Sequence, residues 1–563
     1  MIPPVMRMLV SPGARRAPRR LTLARQALFG AIFLLGGIAA HTQQAALPDD
    51  VRAAAERITA AKLARDLDYF ASDELMGRNT PSPGFDAAAK HIAGRLKAAG
   101  LKPAGDDGTY FQHYTMKESR VDAAAAHLEI GGRRFRLGDD FVLRSFAQPL
   151  TGTYQLVYAG HGWTVPDKGI DPYAGVDVKG KIVLVHGPRA LPKGVEIRQI
   201  GRVSVGASTP FEEAARRGAA GIVFLPLSNA ADDPSRVRAQ STTVRELDPP
   251  VPSAYAATPV TSVLVTAAAA EPLLAGERLS GKELIALGDS ADYPASFQLS
   301  TTITLHVPAA VTDHRPYNVV AVLEGSDPVL RNEYVTIESH LDGAVGTREI
   351  DGDAVYNSAD DNASGSAANL AIAEAFAAGP RPKRSLVFIW DSGEERGLWG
   401  TRYFVHRPPV PLERIVAHFN IDMIGANRAP GSADAEAEGT TGPDEVYVIG
   451  PRVLSARAEK LLDEVNRGYL NLRFNHDHDR AESEFFYPRT DAGPFLERGI
   501  LTIGFTTGIH ARYHRPADEA RFLDPKKMES IARTVLASVW ALADAADRPG
   551  IDKPIPETVP RYK

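Results

Sequence analysis

Five short stretches of this chain carry side chains that can bind a cation or move a proton: His340-Leu-Asp342, Asp360-Asp361, Asp391-Ser-Gly-Glu394-Glu395, Asp422 and Tyr513-His514. Taken one at a time, each has a plain reading. Asp360 and Asp361 stand just before an Ala-rich, helix-compatible run and suit a helix N-terminus, where carboxylates accept from free N–H groups. A lone His340 is commonly a satisfied histidine, Glu394-Glu395 a solvated pair, Asp422 a loop acid, and His514 a surface residue. Their placement together is harder to dismiss. "EYVTIES" precedes His340, "RSLVFIW" precedes Asp391, "IVAHFNI" precedes Asp422, and "ILTIGFTTGIHARY" leads to His514. These are strand-like runs, and open α/β sheets bind ligands at the carboxyl ends of their strands.

Carboxylates gathered at one edge repel each other, and a bound cation removes that cost. Histidine and carboxylate without thiolate suit zinc, or a similar first-row ion, in a catalytic site. Two histidines and three carboxylates exceed what one tetrahedral ion needs. They suit two ions sharing a bridging carboxylate, with Asp360 and Asp361 competing for that place. Other chemistries fail on residue type. "DGDAVYNSADDN" has Tyr356 and Asn362 where a calcium loop needs Gly and Glu. H-E-x-x-H and G-x-S-x-G are both missing from the sequence.

The elements that must position these residues can be read coarsely. The chain has 563 residues, enough for two to four domains, with 44% hydrophobic and 24% charged residues. Its net charge of −5 argues against nucleic-acid binding. The absence of cysteine excludes disulfides, thiol nucleophiles, thiolate metal sites and a lipoprotein anchor. A basic "RRAPRRLTLARQ" followed by apolar Ala27–Ala40 predicts a signal peptide over residues 1–40 and hence a periplasmic or extracellular protein. The apolar run is short for a span, so membrane contact is expected only through an uncleaved leader.

Helices are expected over Val51–Phe70, Phe85–Gly100 and Pro525–Ala545. Residues 124–311 change texture, with short β-rich runs, many Gly and Pro, and one helix at "PFEEAARRGAAG". They read as an inserted module between an N-terminal part (47–123) and a catalytic part (312–546). A Pro-rich tail over 547–563 is expected to be flexible. Strand–helix alternation after Pro316 predicts an α/β fold: a mixed central sheet with helices on both faces, plus the inserted β-rich domain. Asp491, Asp518 and His510 are candidates for places near the site. His476 and His478, in "FNHDHDR", read as a solvated segment.

In order along the chain, His340-x-Asp342, "ADDNASG", "SGEE", "NIDMIG" and "YHRPAD" resemble the di-zinc aminopeptidases of clan MH. That family includes secreted bacterial leucine-type aminopeptidases and glutamate carboxypeptidase II. "YFASDELMGRNTPSPG" extends the likeness to the N-terminal part, and the fold implied is the zinc exopeptidase fold. "YAGVDVKGKIVLV" and "EEAARRGAAGIVF" resemble a protease-associated domain.

The resemblance implies two Zn2+ per chain. His340 and Asp422 would hold one, Glu395 and His514 the other, and Asp361, aligned by the following "NASG", would bridge. Glu394 would be general base and then acid, Asp342 would orient His340, and Tyr513 would donate to the oxyanion. "SHLDGAVG" departs from relatives that often carry a second His after the Asp, which implies an altered loop. The substrates implied are peptides or proteins cut at a chain end, most simply at the amino end.

A carboxypeptidase of the glutamate-releasing kind is the alternative, and it would want an Arg cluster. Arg348, Arg489 and Arg512 are candidates, each equally readable as surface charge. A non-catalytic binding protein on the same frame has no physical need of the full ligand set.

Overall fold

The computed structural model describes residues 47–560 except 146–148, 188–189, 196–206, 228–242, 249–259, 345, 347–348 and 429–438. The expected leader and Arg348 lie outside the described residues.

Nine strands form the larger sheet: β1 (Lys102–Pro103), β2 (Phe111–His113), β3 (Tyr317–Leu323), β4 (Tyr334–His340), β5 (Ser385–Asp391), β6 (Ile415–Ile421), β7 (Glu445–Ile449), β8 (Arg473–Asn475) and β9 (Leu501–Thr506). Their order is β1-β3-β5-β4-β6-β9-β7-β8, with β2 also on β3. Strands β5, β4, β6 and β9 run parallel, while β3 and β7 are antiparallel to β5 and β9. The parallel strands β5 and β6 are buried along their whole length, as sheets covered on both faces require.

Alternation along β3 and β5 divides the core. Val319, Ala321, Leu323, Leu386, Phe388 and Trp390 enter one layer, and Val320, Val387 and Ile389 the other. The first layer packs α2 (Ala60–Phe70), α3 (Pro83–Ala99), α4 (Gly365–Ala377), α6 (Ala456–Gly468) and α8 (Pro525–Asp544). The second packs α5 (Trp399–His406) and α7 (Ala492–Glu497) through Phe404, Val405 and Phe495.

Small residues let α4 approach the sheet closely. Its Ser366 Oγ donates to the carbonyl of His340 (2.9 Å), Trp390 Nε1 donates to the carbonyl of Ser366 (3.1 Å), and Asn369 Nδ2 donates to that of Ile389 (2.9 Å). Residues 365–376 are buried except Glu374, as expected of a helix without a polar face.

The one helix expected over 51–70 is two, α1 (Asp49–Ala55) and α2. Thr59 adopts extended backbone between them and its side chain accepts from Lys62 N, so a capping residue interrupts an amphipathic run. The tail is also better held than its composition suggests. Asp552 accepts from the N–H groups of Ala456 (2.8 Å) and Arg457 (3.0 Å) at the start of α6, and Val559 is buried.

Residues 115–314 build separate sheets. Strand Thr115–Val121 lies between Ala309–His314 and Thr243–Asp248, antiparallel to both. This ribbon leads to an eight-stranded sheet with its own apolar clusters. The β-rich segment leaves the larger sheet at Thr115 and returns at His314, since its two connecting strands pair along their length. Met116 and Leu247 of the ribbon pack with Trp399 on α5. Among the described residues no helix is long and apolar enough to cross a membrane.

Arg78, from "ELMGR", is fully buried and donates to the carbonyls of Leu341 (2.9 Å), Asn357 (3.0 Å), Ser358 (3.0 Å) and Phe70. It ties the loop after β4 to the loop before α4. Replacing it strands buried acceptors, each costing about 1–3 kcal/mol. Arg78→Met is therefore expected to lower unfolding free energy by about 3 kcal/mol or more in denaturant titration.

Candidate metal centre

Each sequence-selected ligand arrives from a different element at one edge of the larger sheet. His340 ends β4 and Asp422 follows β6. Glu394 and Glu395 follow β5 in a tight turn entered through Gly393, whose φ of 75° a side chain would strain. Asp361 lies in the wide turn that opens α4, and His514 lies beyond β9.

One carboxylate stands between two imidazoles. His340 Nε2 is 3.1 Å from Asp361 Oδ1 and 3.5 Å from Asp422 Oδ1. His514 Nε2 is 3.1 Å from Asp361 Oδ2 and 3.2 Å from Glu395 Oε2. Two triplets result, His340/Asp361/Asp422 and Asp361/Glu395/His514, each with its ligand atoms within 4.8 Å of one another. Buried His340 Nε2, Asp422 Oδ1 and Glu395 Oε1 have no hydrogen-bond partner in the protein. Orphaned nitrogen and carboxylate oxygen facing a shared space fit a pair of divalent ions of the zinc class.

The surrounding contacts explain why Asp361 rather than Asp360 takes the shared position. Asp360 accepts from Gly425 N (2.7 Å) and faces His510 Nε2 at 3.3 Å, so it anchors the loop from behind. His510 thus pairs with Asp360 and does not contact the two triplets. Asp518 accepts from the N–H groups of Asp360 (3.1 Å) and Asp361 (3.2 Å). Asn362 donates to the carbonyl of Ile421 (3.0 Å) and accepts from Met423 N (3.1 Å), which locks the Asp361 loop to the Asp422 loop. His514 and Met423 hold left-handed φ of 55° and 56°, uncommon for side-chain-bearing residues and frequent where a site constrains backbone.

Asp342 meets His340 through its main chain. His340 Nδ1 meets the main-chain carbonyl of Asp342 (3.0 Å), not its carboxylate. That contact directs Nε2 into the site, as a metal-bound imidazole requires. The Asp342 carboxylate accepts from Glu394 N (3.2 Å) and so supports the Glu394–Glu395 turn instead.

Electrostatics follow from the packing. Burial alone would lower the His340 and His514 pKa values. The Asp361 contacts, with Asp422 for His340 and Glu395 for His514, reverse this, raising His340 well above its ordinary value and His514 to about 10. Burial would raise Asp361, but its two imidazole neighbours carry it below the usual carboxylate range. Burial raises Glu395 to about 7 and Glu394 well above its ordinary value.

A cavity of about 580 Å³ opens onto this edge. Asp361, Glu394, Glu395, Asp422, Tyr513 and His514 line it, together with apolar Ile449, Phe485, Phe486 and Phe505. Tyr513 stacks on His514 at 3.7 Å between ring centroids, and its hydroxyl accepts from Arg489 Nη2 (2.9 Å). Arg489, readable as surface charge in the sequence, lines the cavity, whereas Arg512 packs over Phe522. His476 and His478 are half-buried rather than solvated. His476 Nδ1 contacts the carbonyl of Val448 (3.1 Å), and His478 packs between Tyr447 and Phe485. Sequence reasoning missed Arg78 and Asn362, which bear no ligand. It also missed the apolar wall, whose members come from distant segments.

The architecture is a mixed α/β sheet with helices on both faces that brings two His–carboxylate clusters to one edge. Residues 318–539 match the profile of Peptidase family M28.

The chain is 38% identical to leupeptin-inactivating enzyme 1 of Streptomyces exfoliatus over 112 residues, 20% of this chain and 23% of that one. It is 31% identical to an aminopeptidase of Pseudomonas aeruginosa over 193 residues, 34% of this chain and 31% of that one. It therefore spans less than a third of the length of either relative. Among solved structures, the aminopeptidase from Aneurinibacillus sp. strain AM-1 superposes with a TM-score of 0.52 at 19% identity. That match covers 91% of this chain and all of the other, and it shows the shared fold.

His514, raised to about 10 by Asp361 and Glu395, holds a proton in the metal-free protein at pH 8 and must lose it to bind a metal. Zinc uptake by metal-free protein at pH 8 is expected to release protons, about one per chain from His514 alone. Calorimetry in buffers of different ionisation enthalpy measures that release.

Proposed function

We propose that this protein is an exported zinc-dependent aminopeptidase that removes residues from the amino end of peptides. The observation that carries the reading is Asp361 set between His340 and His514, each with its own second carboxylate. His340 and Asp422 would hold one ion, Glu395 and His514 the other, and Asp361 both. Two zinc ions, when bound, supply an acidified water and a Lewis acid for the scissile carbonyl.

The chain's own residues supply the rest. Glu394 faces the cavity beside Glu395, and burial raises its pKa well above the ordinary value. A carboxylate of raised basicity suits a general base that takes the water's proton and returns it to the leaving amine. Tyr513, stacked on His514 and accepting from Arg489, would donate its hydroxyl proton to the oxygen of the attacked carbonyl. The Asp342 carboxylate keeps the Glu394 turn in place by accepting from the main-chain N–H of Glu394.

The apolar wall of Ile449, Phe485, Phe486 and Phe505 fits an aliphatic or aromatic first side chain. A C-terminal carboxylate would want paired guanidiniums. Arg489 is the single Lys or Arg among the described lining residues, and it is engaged by Tyr513. This favours the amino end. The basic and apolar leader supports export.

Hydrolysis of free-amine, N-blocked and C-terminal-glutamate peptides, with and without chelator, tests the direction. Free-amine peptides with a large apolar first residue are expected to be cut, blocked ones spared, and chelator to abolish cleavage. Release of C-terminal glutamate from blocked peptides would overturn the reading. Separately, Glu394→Gln is expected to retain metal by elemental analysis while kcat falls about 10²–10⁴-fold.

A further inference from the structure

Gly504 stands in the interior of β9, where a residue without a side chain weakens a strand. The fold gives no reason for it. Its φ is not left-handed, and its pairing with both neighbouring strands runs without a bulge. A Cβ placed there would meet only Ile449, 3.7 Å from its Cβ and 3.8 Å from its carbonyl oxygen, which is ordinary contact. A glycine that neither backbone conformation nor close packing requires marks a place where something else approaches the strand. Every other residue of β9 is buried, whereas Gly504 is partly exposed and lines the cavity.

The register of the sheet defines what the missing side chain leaves open. Gly504 lies opposite Asn420 of β6 on one side and Ile449 of β7 on the other, and both line the same cavity. Leu501 and Ile503 enter the first core layer, so Thr502, Gly504 and Thr506 turn to the face that carries the cavity. Asn420 and Ile449 are two strand spacings apart, about 10 Å, with no side chain between them. The cavity floor therefore has a notch at Gly504. Asn420 is held at its edge by donating to Glu338 Oε2 (3.1 Å). Asp422 follows Asn420 by two residues, so the notch begins about 7 Å along the strands from that ligand.

We propose that Gly504 is a specificity-determining residue: the notch over it receives the first side chain of the peptide and selects leucine- and phenylalanine-sized groups. The inference rests on the amino-end reading above. With the scissile carbonyl beside Glu394 and Tyr513, the first side chain is the part of the peptide that reaches the next row of the sheet. A methyl group stops short of the notch. A branched or aromatic side chain covers the bare main chain of β9 and packs against Ile449, with Phe485 and Phe486 lining the same cavity. Any side chain at position 504 would occupy that space first, and a single methylene in such a pocket changes selectivity about 10-fold or more.

The test compares kcat/KM for leucyl, phenylalanyl and alanyl anilides in the zinc-loaded enzyme, Gly504→Ala and Gly504→Val. The unaltered enzyme is expected to prefer the leucyl and phenylalanyl substrates. Gly504→Val is expected to lower the leucyl/alanyl and phenylalanyl/alanyl ratios about 10- to 100-fold, and Gly504→Ala to lower them by a smaller factor. Valine suits a strand, so circular dichroism is expected to show a folded protein, and elemental analysis reports on the metal centre separately. Unchanged ratios in both variants, or equal losses for all three substrates, overturn the proposal and leave the amino-end reading in place. Cleavage of none of the three by the unaltered enzyme overturns that reading and this inference with it. If Gly504→Val does not fold, Gly504→Ala decides alone.

Discussion

The arrangement depends on one carboxylate held between two imidazoles. Asp361 gives one oxygen to His340 and the other to His514, and its loop is clamped from both sides to make that possible. Asn362 fixes it to the Asp422 loop, Asp518 grips its main chain, and Arg78 gathers the carbonyls that precede it. None of these clamps touches the space between the imidazoles. Each uses polar groups that find partners in the protein, whereas His340 Nε2, Asp422 Oδ1 and Glu395 Oε1 have none.

The sheet makes that economy possible. Parallel strands β4, β5 and β6 end at one level, so their following residues converge without long loops. Small residues on α4 bring its first turn near His340, and Ser366 bonds directly to the strand carbonyl there. A bulkier helix would push the Asp361 turn outward. On the opposite face, α5 and α7 enclose the carboxylates of Glu338, Asp391 and Asp491, so the two faces of one sheet end carry charge of different accessibility.

Much of this was legible in the sequence, and the reason is periodicity. Strands such as "SLVFIWD" are continuous apolar runs ending in an acid, so both the element and its functional end announce themselves. His340, Asp361, Glu395, Asp422 and His514 all meet as their positions suggest. What was not legible depends on three-dimensional partners. Asp342 follows His340 by two residues, yet its carbonyl rather than its carboxylate meets the ring, a choice of backbone path that spacing cannot encode. Arg78 looks like any basic residue in a Gly-containing turn until four carbonyls from separate segments converge on it. Likewise Glu338 reads as an interior position of a strand run and Asp391 as the acid that follows one, and only the pairing of β4 with β5 and the approach of α7 make them neighbours of Asp491.

The β-rich segment is joined by two strands that lie side by side. Tyr114 N donates to the carbonyl of Pro316 (3.0 Å), so departure and return points coincide on the parent sheet. A module plugged in through such a doubled stem can be lengthened, shortened or exchanged without altering the spacing of its sockets. The parent domain is thereby free to diversify what hangs beside its cavity while its own geometry stays constant.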